Sequence, residues 1–189
     1  MRAFFCLEIA SHLQQELDKI TQLLRRVRVK ASWVKPENLH ITLKFLGEIR
    51  SELVPKLEAA GREALRDASM QSAIEWDLDR VGAFPSAERP RVVWAGSSKE
   101  PEAPSHLATS LQEKLEPMGF APERDRFVTH ITLARVKEEG PAVRALTQAM
   151  LTLKPFRCVA RVDGLTLMES QLTPQGSIYR PLFRLPFSS

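Results

Sequence analysis

The segments WVKPENLHITLKFLGE (residues 33–48) and FVTHITLARV (127–136) decide how this chain is read, because each carries the tetrapeptide His-Ile-Thr-Leu, at 40–43 and 130–133. At this composition a given histidine is followed by Ile-Thr-Leu about once in several thousand trials. In an extended strand residues i and i+2 share a face, roughly 6–7 Å apart. His40 and Thr42 therefore share a face, as do His130 and Thr132, and strict alternation adds Lys44 to the first set. Ile41, Leu43, Ile131 and Leu133 point the opposite way, into a core. If the repeats face each other, two imidazoles and two hydroxyls converge on one cleft, and the chain reads as two diverged copies of one unit.

Working outward, RAFFCLEI near the N-terminus predicts a first strand. Ser11 predicts a helix cap, followed by a buried face of Leu13, Leu17, Ile20, Leu24 and Val27. A second helix is expected from near Ser51, with Pro55 in its first turns and Leu57, Ala60, Ala64 and Ala68 buried. Strands around IEWDLDRV and RVVWAG follow, joined by FPSAERP. Ser105 predicts the cap of a third helix with Leu107, Leu111, Leu115 and Met118 along one stripe and Gly119 as its stop. A short helix through Leu146 and Met150 follows the Gly-Pro at 140–141. Two closing strands are expected in RCVARVDGLTLMES and SIYRPLFRLPF. The order predicts an α+β fold with mostly antiparallel pairing, and no linker divides residues 1–189 into separate domains.

The composition narrows the classes. With 189 residues, 43% hydrophobic and 26% charged, the chain has the make-up of a globular domain. No apolar run is long enough to span a bilayer, and Glu8 interrupts the only stretch resembling a signal peptide. Cys6 and Cys158, without an export signal, predict free buried thiols and a cytoplasmic protein. A formal charge of +4 favours anionic partners only mildly. No His, Cys, Asp or Glu set has metal-ligand spacing, so the expectation is a monomer with no metal and no cofactor.

Two histidines and two threonines in one cleft suit displacement at phosphorus. One imidazole takes a proton from the attacking oxygen, the other protonates the leaving oxygen, and both titrate near neutrality. The hydroxyls can donate to the non-bridging oxygens, and Lys44 can add positive charge. Phe45 and Arg135 lie five residues after each histidine. They fit a sandwich around a terminal base, although simple alternation puts Phe45 in the core unless the strand bulges. Tyr179, the single tyrosine, fits either the cleft edge or ordinary packing. Arg25, Arg26, Arg28 and Lys30, with Arg124 and Arg126, precede the two histidine strands and fit either RNA backbone or plain solvation. His12 and His106 lack the threonine partner and are read as structural or exposed.

These motifs resemble the two-histidine (2H) phosphoesterase superfamily, whose mark is a pair of His-x-Thr-x motifs about this far apart. More narrowly, RAFFCLEI, WVKPENLHITLKFLGE, VGAFPSAERPRVVWAG, HITLAR and MESQLTPQGSIYRPLFRL look like the RNA 2′,3′-cyclic phosphodiesterases, formerly called 2′–5′ RNA ligases. The resemblance implies a bilobed, pseudo-twofold fold, with two mostly antiparallel sheets flanking a cleft and helices outside. It implies RNA ends or small cyclic nucleotides as substrates and a 2′-phosphomonoester product. It also implies His40 as proton donor and His130 as acceptor, a direction the spacing leaves open. The same site run backwards joins RNA through a 2′–5′ bond, and a non-catalytic RNA-end binding module is the other alternative. Thr129 stands where the family often has proline, which predicts a small change in how the second histidine strand is entered.

Overall fold

The two histidine strands lie side by side at the centre of a computed structural model that describes residues 1–123, 125–174 and 176–187. In chain order the elements are β1 (Arg2–Glu8), α1 (Ser11–Arg25), β2 (Ala31–Trp33), β3 (His40–Glu48), α2 (Val54–Asp67), β4 (Ile74–Leu78), β5 (Arg80–Pro85), β6 (Pro90–Gly96), α3 (Glu102–Leu115), β7 (His130–Val136), α4 (Pro141–Leu151), β8 (Cys158–Val162), β9 (Gly164–Thr173) and β10 (Gly176–Pro186). Eight strands form one sheet in the order β10-β9-β1-β3-β7-β6-β5, with β2 also paired to β7; β4 and β8 form a separate ribbon. Every pairing is antiparallel. The expectation of two sheets flanking a cleft is corrected accordingly. The β3 and β7 halves join through the single pair Ile41–Ile131 into one continuous sheet.

One face of that sheet is covered by helices. Phe5, Ile41, Leu43, Ile131 and Leu133 pack there with Leu13 and Leu17 of α1, Leu57 of α2, Leu107 and Leu111 of α3 and Leu146 of α4. The helical periods of the sequence bury as expected, except that Val27, Ala68 and Met118 fall beyond α1, α2 and α3 and are only partly covered. Gly61 lets α2 cross closely: a Cβ there would lie 2.9 Å from Leu185 Cδ1. Gly119, at φ 91°, ends the turn after α3 in the left-handed region that glycine enters without a steric penalty.

Three local expectations shift. Ser11 is the first helical residue, and Ala10 holds the cap position without a side-chain bond. Ser105 sits inside α3, and its hydroxyl donates to Glu100 Oε1 at 3.0 Å. IEWDLDRV and RCVARVDGLTLMES are each broken into two strands, at Asp79 and Asp163. In both cases the first half leaves for the β4–β8 ribbon while the second stays in the main sheet. Asp79 holds its break by accepting from the Ser98 backbone N–H (2.6 Å) and hydroxyl (2.5 Å).

Candidate active site

The register around Ile41–Ile131 arranges the site. Ile41–Ile131 is the single pair joining β3 to β7 among the described residues; His40 and Thr42 flank the first isoleucine and His130 and Thr132 the second, on the opposite face of their strands. The two His-x-Thr motifs thus cross head to tail over a buried isoleucine pair.

Each histidine strand also bulges at the same place. Cys6 pairs with Thr42 but Phe5 with Lys44, leaving Leu43 as the extra residue; Trp94 pairs with Thr132 but Val93 with Ala134, leaving Leu133 extra. An inserted residue reverses the parity of everything after it. Phe45 and Arg135 therefore come back to the histidine face, where both are exposed and line one cavity of about 380 Å³ with Thr42, Phe84, His130 and Thr132. Lys44 does not share the His40 face, which corrects the expectation from alternation. It lies opposite Phe5, is 5% exposed, and its ammonium donates to Ala121 O (2.6 Å) and Glu123 Oε1 (2.9 Å).

Both rings are oriented by the carbonyl two residues upstream. His40 Nδ1 lies 2.7 Å from Asn38 O, and His130 Nδ1 lies 2.7 Å from Val128 O. A carbonyl only accepts, so each Nδ1 carries the proton and donates it, leaving Nε2 as the nitrogen free for proton exchange. At His40 the Thr42 hydroxyl lies 3.0 Å from Nε2 and donates to it in the neutral ring.

The rings rest on different aromatic beds. Phe4 stacks on His40 at 4.9 Å between centroids, and Tyr179 meets the same ring edge-on at 5.3 Å. His130 meets Phe84 edge-on at 5.0 Å and Trp94 at 6.3 Å. Gly82 makes room for that indole: a Cβ there would sit 2.3 Å from Trp94 Cζ2. Burial in these surroundings disfavours the imidazolium. His40 is lowered to about 4, by desolvation first and then by the charges of His130 and Arg135, against an opposing contribution from its bond to Asn38. His130 is also lowered, by desolvation and by Arg135, while its bond to Val128 and the nearby Glu100 carboxylate pull it back up.

Glu100 reaches the site through the residue beside His130. Its Oε1 accepts from the Thr129 backbone N–H (2.8 Å) and hydroxyl (2.5 Å), and Thr129 is 2% exposed. Proline offers neither donor, so this anchoring depends on Thr129 occupying that place. One cavity is thus lined by Thr42, Lys44, Phe45, His130, Thr132 and Arg135, and His40 reaches it through its contact with Thr42, with Tyr179 against the His40 ring. Arg126 lines the same cavity, Arg124 lies outside the described residues, and His12, His106, Arg25, Arg26, Arg28 and Lys30 are exposed away from it. Phe4, Asn38, Phe84, Trp94 and Glu100 were not singled out from the sequence. Alternation within RAFFCLEI signals Phe4, whereas Glu100 sits in a polar loop whose partner is remote in sequence.

A cleft holding two His-x-Thr motifs on an antiparallel α+β sheet defines a phosphoesterase class of site. The family model described as LigT like Phosphoesterase matches residues 7–94 and 99–179, and the chain belongs to that family. An RNA 2′,3′-cyclic phosphodiesterase of Archaeoglobus fulgidus is 37% identical over 183 residues, covering 96% of this chain and 98% of the relative. One from Methanothermobacter thermautotrophicus is 35% identical over 189 residues, covering 98% and 99%. Among solved structures, E. coli LigT complexed with 3′-AMP superposes with a TM-score of 0.78 at 25% identity, covering 100% of this chain and 98% of that one. No helix among the described residues is long and apolar enough to cross a membrane.

Proposed function

We propose that this chain hydrolyses RNA 2′,3′-cyclic phosphate ends to 2′-phosphomonoesters by acid–base catalysis between His40 and His130. The observation that supports this is the head-to-tail meeting of the two His-x-Thr strands at Ile41–Ile131, with each ring's Nδ1 held by a carbonyl and its Nε2 left for proton exchange. The names of the relatives that match nearly the whole chain support the same substrate.

In this reading His130 Nε2 takes a proton from a water whose oxygen attacks phosphorus. The P–O3′ bond breaks, O3′ takes the proton from His40 Nε2, and the phosphate stays on O2′. Thr42 and Thr132 donate to the non-bridging oxygens as charge builds there. Each requirement of the step is met by a side chain of the cleft, so the reaction proceeds without a metal ion and is expected to run in EDTA. The free protein holds His40 mostly neutral, so the anionic phosphate must bring up its proton affinity on binding. Phe45 and Arg135 flank the terminal base, and Tyr179 steadies the His40 ring from its edge. The matching bulges support reading residues 1–189 as one domain of two related lobes around this site.

The test is a product assay on an oligoribonucleotide with a 2′,3′-cyclic phosphate end, resolving 2′- from 3′-phosphate. A 2′-phosphate formed in EDTA is expected. A 3′-phosphate reverses the leaving group, joined RNA ends point to ligation, and tight binding without product points to a binding module.

A further inference from the structure

Among the described residues β3 and β7 share the single pair Ile41–Ile131, and the cavity of about 380 Å³ opens where that ladder stops. One wall is β3, with Thr42 and Phe45; the other is the segment entering β7, with Arg126 and Phe127. Lys44 crosses between them. From β3 its ammonium donates to Ala121 O at 2.6 Å and to Glu123 Oε1 at 2.9 Å, and both acceptors belong to the far wall. The side chain is 5% exposed, and an ammonium that far from water persists only when its charge and protons meet such partners.

We propose that Lys44 is a positioning residue: it ties the segment entering β7 to β3 and so holds the cavity at the width a bound nucleotide needs. The inference rests on the phosphodiesterase reading above and adds what keeps the substrate cavity formed before substrate arrives.

The far wall has little else to fix it. Ala121, Pro122, Glu123, Asp125 and Arg126 are all exposed, and a segment with so little buried apolar surface opens locally at low cost. Its polar ties meet at residue 123, where Lys44 holds the carboxylate and Gln112 Oε1 of α3 accepts the backbone N–H at 3.1 Å. From there the chain runs on to Val128, whose carbonyl accepts from His130 Nδ1, and to Thr129, held by Glu100. The first histidine strand, through Lys44, thus steadies the backbone that orients the second histidine. The cationic side chain acting on both rings is Arg135, so the Lys44 charge serves the wall. Without the tie, the wall spends part of its time displaced. Substrate then binds only the fraction with the wall in place, which raises KM by the reciprocal of that fraction and leaves the kcat of the bound complex nearly unchanged.

The test measures kcat and KM on 2′,3′-cyclic AMP for wild type, Lys44→Met, Glu123→Ala and the double variant, and follows tryptic cleavage after Arg126 without substrate. Lys44→Met is expected to raise KM about tenfold with kcat within about twofold, and to speed the cleavage at least about tenfold, because cleavage tracks the open fraction. Glu123→Ala should act in the same direction but more weakly, since Ala121 O still accepts from the ammonium, and the double variant should be no worse than Lys44→Met alone. Should Lys44→Met fail to fold, Glu123→Ala decides, because that side chain is 55% exposed: raised KM with faster cleavage supports the tie, and wild-type values overturn it. A fall in kcat at unchanged KM for Lys44→Met, with Glu123→Ala silent, also overturns the inference, by making Lys44 a contact of the reacting phosphate. Cleavage that neither variant speeds does the same. If wild type hydrolyses no cyclic phosphate while cleavage still responds to both variants, the tie is supported and the phosphodiesterase reading falls.

Discussion

His40 and His130 open identical tetrapeptides, follow the same rule of donating Nδ1–H to the carbonyl two residues back, and precede the same bulge, yet their surroundings differ. His40 lies flat on Phe4 with Tyr179 at its edge and Thr42 on its Nε2. His130 meets Phe84 and Trp94 by their edges and has the Glu100 carboxylate behind its neighbour Thr129. The tetrapeptide fixes where the ring points, and the packing beneath it fixes how tightly the ring holds a proton. Two copies of one strand motif thereby have their proton affinities lowered by different surroundings, that of His40 to about 4.

The sharpest way to break this comparison is to remove each ring in turn. His40→Ala and His130→Ala are each expected to lower kcat/KM by about 10²–10⁴-fold, with the double variant little worse than either single one. The two should part on a cyclic substrate carrying sulfur in place of O3′. A thiolate leaves without a proton, so His40→Ala regains most of its loss there and His130→Ala does not. The opposite pattern would exchange the two roles. That exchange has a physical motive, since the free protein keeps the proposed acid at about 4.

The threonines come next in size. Thr42→Val and Thr132→Val should each reduce kcat by roughly 10², as when one donor to a developing oxyanion is lost. Only Thr42→Val should also disturb a ring, because its hydroxyl donates to neutral His40 Nε2 while Thr132 has no such bond among the described residues. Losing that hydroxyl removes the partner of His40 Nε2 and is expected to displace the titration of that ring, which NMR reads directly. Equal titration shifts in both variants would erase the distinction between the two halves.

Much of this was legible in the chain. The 3.6 and 2.0 periods placed the helices, the histidine strands and their buried faces, because those signals depend only on which side of a local element is apolar. Alternation misplaced Lys44 because it assumes an unbroken ladder. The bulge arises where β1 meets β3, and no residue within HITLK announces it. The strand breaks at Asp79 and Asp163 were hidden for a related reason. Each aspartate is fixed by groups distant in sequence, Ser98 for one and Arg184 with the Phe187 backbone for the other. The two-sheet expectation failed at a single residue pair, Ile41–Ile131, a contact of the fold that no local pattern encodes.

The smallest expected effect probes the feature most particular to this chain. Glu100→Gln keeps a carbonyl oxygen able to accept from Thr129 but removes the charge that pulls the His130 affinity upward, so the affinity of that ring falls further below its ordinary value. A base must be unprotonated to act, and activity rises with pH through the value at which the base loses its proton. Lowering that value carries the rising limb of kcat/KM toward lower pH. The variant should therefore gain roughly two- to fivefold over wild type at acid pH, relative to their ratio at neutral pH. The His130 resonance should move and the His40 resonance stay in place, since Glu100 contributes to the first ring alone. A uniform loss of rate with no displacement of the limb would mean that Glu100 only holds Thr129 in position. A rising limb left in place with the falling limb carried toward lower pH would mean that His130 works in its protonated form, and the acid and base of the two halves would have to be exchanged.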